Sequence, residues 1–221
     1  MPSPSATPPA SPVFQRLPAA KQRIILDAAA AEFARQGFTA AKVDDVAARA
    51  GISVGSLYQY FVTKERCFLA VLEDGIAELQ GRLEEVLAGA AGPWERIEAI
   101  VRLIPGHSRR HAEILRLYHE IGGEGLSDLG RDFCERFEGL SARVYAALLA
   151  EARSAGAVRA DLDERYAAFC LDSLFVALQF SFACDYHRLR KAVYLGPERD
   201  ADDEALVARV LQFLRYGLAG K

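Results

Sequence analysis

The chain has 221 residues, 51% of them apolar, which is enough to build a sizeable core and excludes a disordered protein. Its formal net charge of −3 offers no overall basic field for nucleic acid or an acidic membrane surface. No basic-then-apolar leader opens it, and the most apolar window, residues 169–184, contains Asp172 and Gln179 and reads as too short and too polar for a membrane span, which needs about 20 residues.

Residues 1–18 hold six of the nine prolines, interspersed with serine and alanine, and are expected to form a disordered tail. A DNA-contacting arm is the alternative, with Arg16 as its one charge. From 19 to 36, Ile24, Ile25, Ala28, Ala29, Ala31 and Phe33 recur at helical spacing, and Gly37 follows as a stop. Residues 42–50 make a second helix with Val43, Val46, Ala47 and Ala50 on one face. Gly51 then supplies a tight turn, and Ser53 caps a short third helix from about 54 to 61. Leu57 and Phe61 point inward, four residues apart, while Val54, Gly55, Tyr58 and Gln59 form the other face, flanked by Ser56 and Tyr60. That face is small at its N-terminal end, carries hydroxyls and an amide, and has no acid, as a helix presented to a DNA major groove requires. The charge distribution agrees. Residues 14–66 carry eight Lys/Arg and five Asp/Glu, and the rest of the chain carries 19 and 25, so a basic head is joined to an acidic body.

Thr63 begins a fourth helix running through Phe68, Val71, Leu72, Ile76, Leu79 and Leu83. Pro93 fits the first turn of a helix to 104, interrupted by Pro105 and Gly106. Residues 108–121 form the next helix, ended by Gly122 and Gly123; 128–156 are long and amphipathic, 161–191 form the most apolar helix, and 200–218 close the chain. Nothing in the first 80 residues reads as a strand, and the fold class is all-α. Residues 169–182 are apolar around nearly the whole helical circumference, so this helix must be covered on every side. A homodimer through the last two helices, with a four-helix bundle at a two-fold interface, meets that need; a central helix of a monomer is the alternative. Cys67, Cys134, Cys170 and Cys184 show no paired spacing and are read as reduced, buried thiols of a cytoplasmic protein.

The run from Gly37-Phe38 through Val43-Asp44-Asp45-Val46-Ala47-Ala48-Arg49-Ala50-Gly51-Ile52-Ser53-Val54-Gly55-Ser56-Leu57-Tyr58-Gln59-Tyr60-Phe61 to Thr63-Lys64-Glu65 resembles the N-terminal DNA-binding domain of TetR-family transcriptional regulators. The resemblance covers about residues 20 to 70. It implies a three-helix helix-turn-helix head (19–64) after the tail (1–18), and a helical ligand-binding and dimerisation body (65–221). It also implies a repressor that leaves a double-stranded operator when a small molecule binds, with no cofactor. By position, Ser56 and Tyr58 match phosphate or base contacts, Tyr60 a backbone contact, and Lys64 a lysine that meets phosphate at the next helix's start. Phe38, Val46, Ala47, Leu57 and Phe61 fall on core positions. The residues themselves suit these roles: hydroxyls and amides at a helix N-terminus hold phosphate, and Gln59 can pair with adenine. The candidate DNA-binding set is Lys42, Ser53, Val54, Gly55, Ser56, Tyr58, Gln59, Tyr60 and Lys64. Packing within the head is the alternative for Tyr58 and Tyr60. Where the family often has two threonines, this chain has Ala41 and Lys42, so the second helix's cap is lost or moves to Thr39. Asp44, unhelpful near phosphate, reads better as a helix-dipole contact.

The body is less specific. Residues 171–181 resemble family members that respond to fatty acyl-coenzyme A. An apolar tunnel for a hydrophobic effector, long-chain acyl-coenzyme A among the choices, would use Leu115, Phe133, Phe137, Phe175, Gln179 and Phe182, with Arg109, Arg110 and Arg116 for its phosphates or carboxylate. Ordinary core is the alternative for the aromatics, a solvated face for the arginines, and another hydrophobic compound, sensed by a regulator of efflux or stress genes, for the effector. His107 and His111 are four apart, yet no third ligand stands at metal spacing, and no metal is expected. The chain has no nucleophile elbow, phosphate loop or dinucleotide glycine pattern, which argues against an enzyme. A helical adaptor without DNA binding would leave the acid-free helix unexplained.

Overall fold

The computed structural model describes residues 8–89, 92–121, 131 and 134–219. Among them are α-helices and a π-helical segment, Cys134–Glu138, and no strand. The chain divides into two compact units, one of residues 1–79 with 116–136 and the other of 80–115 with 137–221.

The first unit opens with a helix where a disordered tail is expected. Helix α1 is Pro12–Gln15, with Ser11 as N-cap, Pro12 in its first turn and Phe14 buried. A capping serine followed by proline starts a helix even within proline-rich sequence, and a buried phenyl ring holds it in place. Helix α2, Ala19–Ala40, is interrupted at Gly37 (φ 71°, ψ 167°), the expected stop, after which one more turn follows. Phe33, Phe38 and Phe68 pack edge-on as this unit's aromatic centre, with Phe33 and Phe38 each 5.0 Å from Phe68. Ile24, assigned inward by spacing, is 55% exposed. Helix α3 is Val43–Ala50, α4 Val54–Phe61 and α5 Lys64–Ala88. Thr63 Oγ1 accepts from Arg66 N at 3.2 Å, the expected cap of α5. Arg23 of α2 donates to both carboxylate oxygens of Asp74 on α5, at 2.7 and 2.8 Å.

In the second unit the expected break at Pro105 does not occur. Helix α6 runs Pro93–Arg110 through it, because Ile97, Ile100, Val101, Ile104 and Pro105 itself form one continuous buried face. That packing outweighs the hydrogen bond that proline cannot donate. The break lies at His111, and α7 is Ala112–Ile121, of which residues 116–121 belong to the first unit. The expected stop at Gly122 and Gly123 lies outside the described residues. Helix α8 is Gly139–Ser154, α9 Glu164–Ala183, α10 Asp185–Leu195, α11 Pro197–Asp200 and α12 Asp203–Leu218. The expected single helix over 161–191 is thus two, parted at Cys184 in extended conformation. Helix α9 is the spine of this unit: Ala168, Leu171, Phe175, Leu178 and Phe182 recur every three to four residues and pack with Ile100, Leu149 and Val207.

At 20 residues and mean hydropathy 1.5, α9 is long and apolar enough to cross a membrane, contrary to the shorter window read from sequence. Its buried stripe makes it a core helix. Cys67 and Cys184 are buried, but Cys134 and Cys170 are exposed, which corrects the expectation of four buried thiols. Burial pushes the Cys67 thiol up to about 12, so it stays protonated and inert.

Candidate nucleic-acid interface

The helix-turn-helix is built by three local devices. Helix α3 ends on Gly51 in the left-handed region (φ 65°, ψ 34°), where a side chain would be strained. Ile52 N returns to Ala47 O at 3.0 Å, closing the turn. Ser53 then accepts from Ser56 N at 3.0 Å and shares a 2.8 Å hydrogen bond with the Ser56 hydroxyl. Leu57 and Phe61 are 2% and 1% exposed and anchor α4 as expected.

Ser53, Gly55, Tyr58 and Gln59 are exposed and Val54 and Ser56 half-buried, so these candidate contacts on the turn and α4 are accessible; Lys42 is exposed at the start of α3. Residues 54–61 contain no acid, and the nearest carboxylates on α3, Asp44 and Asp45, lie in its first turn, where they favour the helix dipole. Lys42 is the N-cap of α3 without a side-chain cap bond, so the cap is lost rather than moved to Thr39.

Two candidates are turned to other work. Tyr60 is only 7% exposed, its ring 5.8 Å from Phe14, so it serves chiefly as a wall of the head's core. Lys64 points back into the protein. Its Nζ donates to the carbonyls of Phe38, Thr39 and Ala41 at 2.9, 3.1 and 3.3 Å and lies 4.7 Å from the Phe38 ring centroid. An ammonium has three donors, and all three are engaged by the end of α2.

Two features escape the sequence motif. Glu32 is fully buried on α2, with Oε2 2.7 Å from Arg35 and 3.8 Å from Arg49 of α3, and Oε1 without a hydrogen-bond partner. Its signal was its place beside Ala28, Ala29 and Phe33 on the buried stripe. The other is α1, whose signal was the Ser11-Pro12 pair.

The effector candidates are more scattered. Phe175 (1% exposed) packs edge-on against Tyr145 at 5.6 Å, and Phe182 (4%) lies under Arg109 and Lys191 at 4.8 and 4.6 Å. Arg109 is engaged by Asp203. Leu115 is buried, Gln179 and Phe137 are half-buried and Arg116 is exposed. Phe133 lies outside the described residues. Cavities of about 360 and 450 Å³ open along α12, the first beside Trp94 and Tyr216, the second beside Tyr166, Cys170, Leu174 and Phe213. Neither is lined by an expected effector residue. The His107 and His111 rings stack at 4.3 Å, and no metal-ligand group of three occurs among the described residues.

Residues 25–71 match the family described as "Bacterial regulatory proteins, tetR family". The chain is 34% identical over 148 residues to the HTH-type transcriptional repressor KstR2 of Mycolicibacterium smegmatis, covering 66% of this chain and 71% of that protein. It is 30% identical over 165 residues to KstR2 of Rhodococcus jostii, covering 71% and 77%. Among solved structures, FadR of Bacillus subtilis in complex with stearoyl-CoA superposes with a TM-score of 0.70 at 22% identity, over 88% of this chain and 98% of that one. The last likeness is one of fold.

Proposed function

The chain belongs to the TetR family, a DNA-binding transcriptional regulator and not an enzyme, and from that premise we propose that it is a homodimeric repressor released from its operator by a small hydrophobic effector. The observation that carries the DNA half is the turn at Gly51 joined to α4, with Ser53, Gly55, Tyr58 and Gln59 exposed and no acid among them. Backbone N–H groups and hydroxyls at the start of α4 position phosphate, Gln59 and Tyr58 reach base edges, and Lys42 supplies charge. Domain boundaries at about 18 and 64 remain part of this proposal.

Dimerisation through α9 and α12 is supported by the aromatic side chains these helices leave in water: Tyr166, Phe169, Phe213 and Tyr216 are 70% to 79% exposed. Such a face is costly for a monomer and is covered economically by a second copy. Two-fold symmetry would set the two α4 helices about 34–36 Å apart, in successive major grooves of a near-palindromic site.

For the effector we favour long-chain acyl-coenzyme A, supported by the fold shared with a FadR bound to stearoyl-CoA. A sterol-like compound is the second reading, because the KstR2 of Mycobacterium tuberculosis, which shares this fold with a TM-score of 0.56, is described as a ketosteroid regulator. Gel shift on the DNA upstream of the chain's own coding sequence tests the first half. A specific complex that weakens as salt rises is expected, and its absence at moderate salt would overturn the regulator proposal. Adding a long-chain acyl-coenzyme A, a short-chain one and a ketosteroid in separate arms tests the second; release by the long chain alone is expected.

A further inference from the structure

The last turn of any helix leaves carbonyls without intrahelical partners. Helix α4 ends abruptly, because Val62 takes a positive φ of 64° and the chain turns at once into α5. The carbonyls of Gln59 and Tyr60 are met by another segment. Ser11 donates through its Oγ to Gln59 O at 2.8 Å and through its backbone N to Tyr60 O at 2.7 Å. Three residues on, Phe14 is 4% exposed, with its ring 4.8 Å from Phe61 and 5.8 Å from Tyr60. Both ends of the segment are fastened: Arg66 Nη2 donates to Pro8 O at 3.1 Å, and Gln22 Nε2 to Leu17 O at 2.8 Å.

We propose that residues 8–17 are a strap that caps the C-terminal end of the recognition helix α4 from outside, and that Ser11 and Phe14 are positioning residues for DNA reading. The proposal rests on α4 being the DNA-reading helix. A helix of two turns whose last carbonyls lack partners is free to fray where Tyr58 and Gln59 sit. The strap removes that freedom by occupying the two carbonyls of that turn and walling one side with a phenyl ring. A base-reading side chain needs such an anchored backbone, because bidentate pairing fails when the helix end wanders.

The test uses the full chain and the substitution Ser11→Pro. Ser11 has φ −69° and ψ 161°, which proline adopts, but the proline ring takes the place of the N–H that meets Tyr60 O at 2.7 Å and deletes the hydroxyl that meets Gln59 O, so both donors are lost and the segment is pushed off the end of α4. Phe14→Ala is the second variant. Hydrogen exchange in the free protein is read first: the α4 amides of residues 58–62 are expected to exchange about tenfold faster in Ser11→Pro, with unit-two amides unchanged. Binding is then measured to a duplex that the wild-type protein selects from random DNA. Affinity is expected to fall about tenfold in Ser11→Pro, and less in Phe14→Ala, which keeps both Ser11 donors, with the dependence on salt unchanged because no phosphate contact is removed. Unchanged α4 exchange, or faster exchange everywhere alike, overturns the strap. So does faster α4 exchange with unchanged affinity. If the wild type selects no duplex, the DNA proposal fails and the exchange pattern decides whether the cap exists.

Discussion

Lys64→Met separates two roles that one lysine at this position can have. The substitution keeps the aliphatic stem and removes the ammonium, and with it contacts to three carbonyls at 2.9, 3.1 and 3.3 Å and to the Phe38 ring at 4.7 Å. Hydrogen bonds to a charged group contribute about 1.5–3 kcal/mol, and a partly exposed cation–π contact about 0.5–1 kcal/mol. Water can replace some of the lost partners at a half-buried site, so a net loss of about 2 kcal/mol is expected. Urea unfolding should show it as a lower midpoint, by about 1 M for a slope of about 2 kcal/mol/M, with the slope unchanged. DNA binding is measured in parallel over a range of salt. A lysine that neutralises a phosphate contributes about 0.9 to the slope of log affinity against log salt, whereas a clamp contributes nothing to it. The clamp assignment therefore expects lower stability, uniformly weaker binding and an unchanged salt slope. Stability within about 0.5 kcal/mol of wild type together with a slope reduced by about one would refute it and restore Lys64 to the phosphate backbone.

Three further outcomes follow from the same structure. Ser53→Ala deletes the cap of α4 and is expected to cost about 1 kcal/mol in urea titrations while weakening DNA binding, whereas Ser53→Asp keeps the cap, restores stability and still repels phosphate. Glu32→Leu replaces a buried carboxylate whose Oε1 is unpartnered and should leave stability unchanged or higher, while Arg35→Met, which leaves that charge less compensated, should lower it by about 1–2 kcal/mol. Burial first, and the Glu138 charge second, raise the Asp172 carboxyl to about 6. Its folded pKa lies above its unfolded one, so the favourable contribution is full below about pH 4 and is lost as pH rises through about 6. Asp172→Asn should therefore raise stability by about 1 kcal/mol at pH 7, after solvent screening is allowed for, and by nothing at pH 4. Melting temperatures of the two proteins across that range check it, and a gain that does not shrink towards acid pH refutes it.

How far the fold was legible depended on whether chemistry was local. Helix α4 is bounded where sequence placed it, because a capping serine, a left-handed glycine and two inward apolar residues each act within one turn. Helix α9 stops at Cys184 with neither glycine nor proline beside it, so nothing local announces the break; Ala183 and Cys184 are both buried there. Pro105 is the converse, a strong local breaker overruled by a continuous buried face. Lys64 was found, but its direction was not, since carbonyls and phosphate ask the same of an ammonium. The strap was hidden by composition: six prolines among 18 residues imply disorder, yet one serine, one proline and one phenylalanine suffice to seat a turn of helix on α4.

The body resists reading for a different reason. A core and a pocket for a hydrophobic effector use the same side chains, so Phe175 and Phe182, chosen as tunnel residues, are packed in the core with Leu171 and Leu178. Helix α9 carries two apolar stripes. The inward one, Ala168, Leu171, Phe175, Leu178 and Phe182, is satisfied within the chain. The outward one includes Tyr166, Phe169 and Cys170, of which Tyr166 and Cys170 line the 450 Å³ groove with Phe213 of α12. Only 39% of the apolar window is buried, which leaves two physical ways to cover the rest, lipid or a second copy. The inward stripe supports the proposed second copy. A helix with one face packed against Ile100, Leu149 and Val207 of its own unit is a core helix, and its outer face adjoins α12 of the same unit. In the proposed dimer, a second α9–α12 pair related by two-fold symmetry would cover the outer stripe.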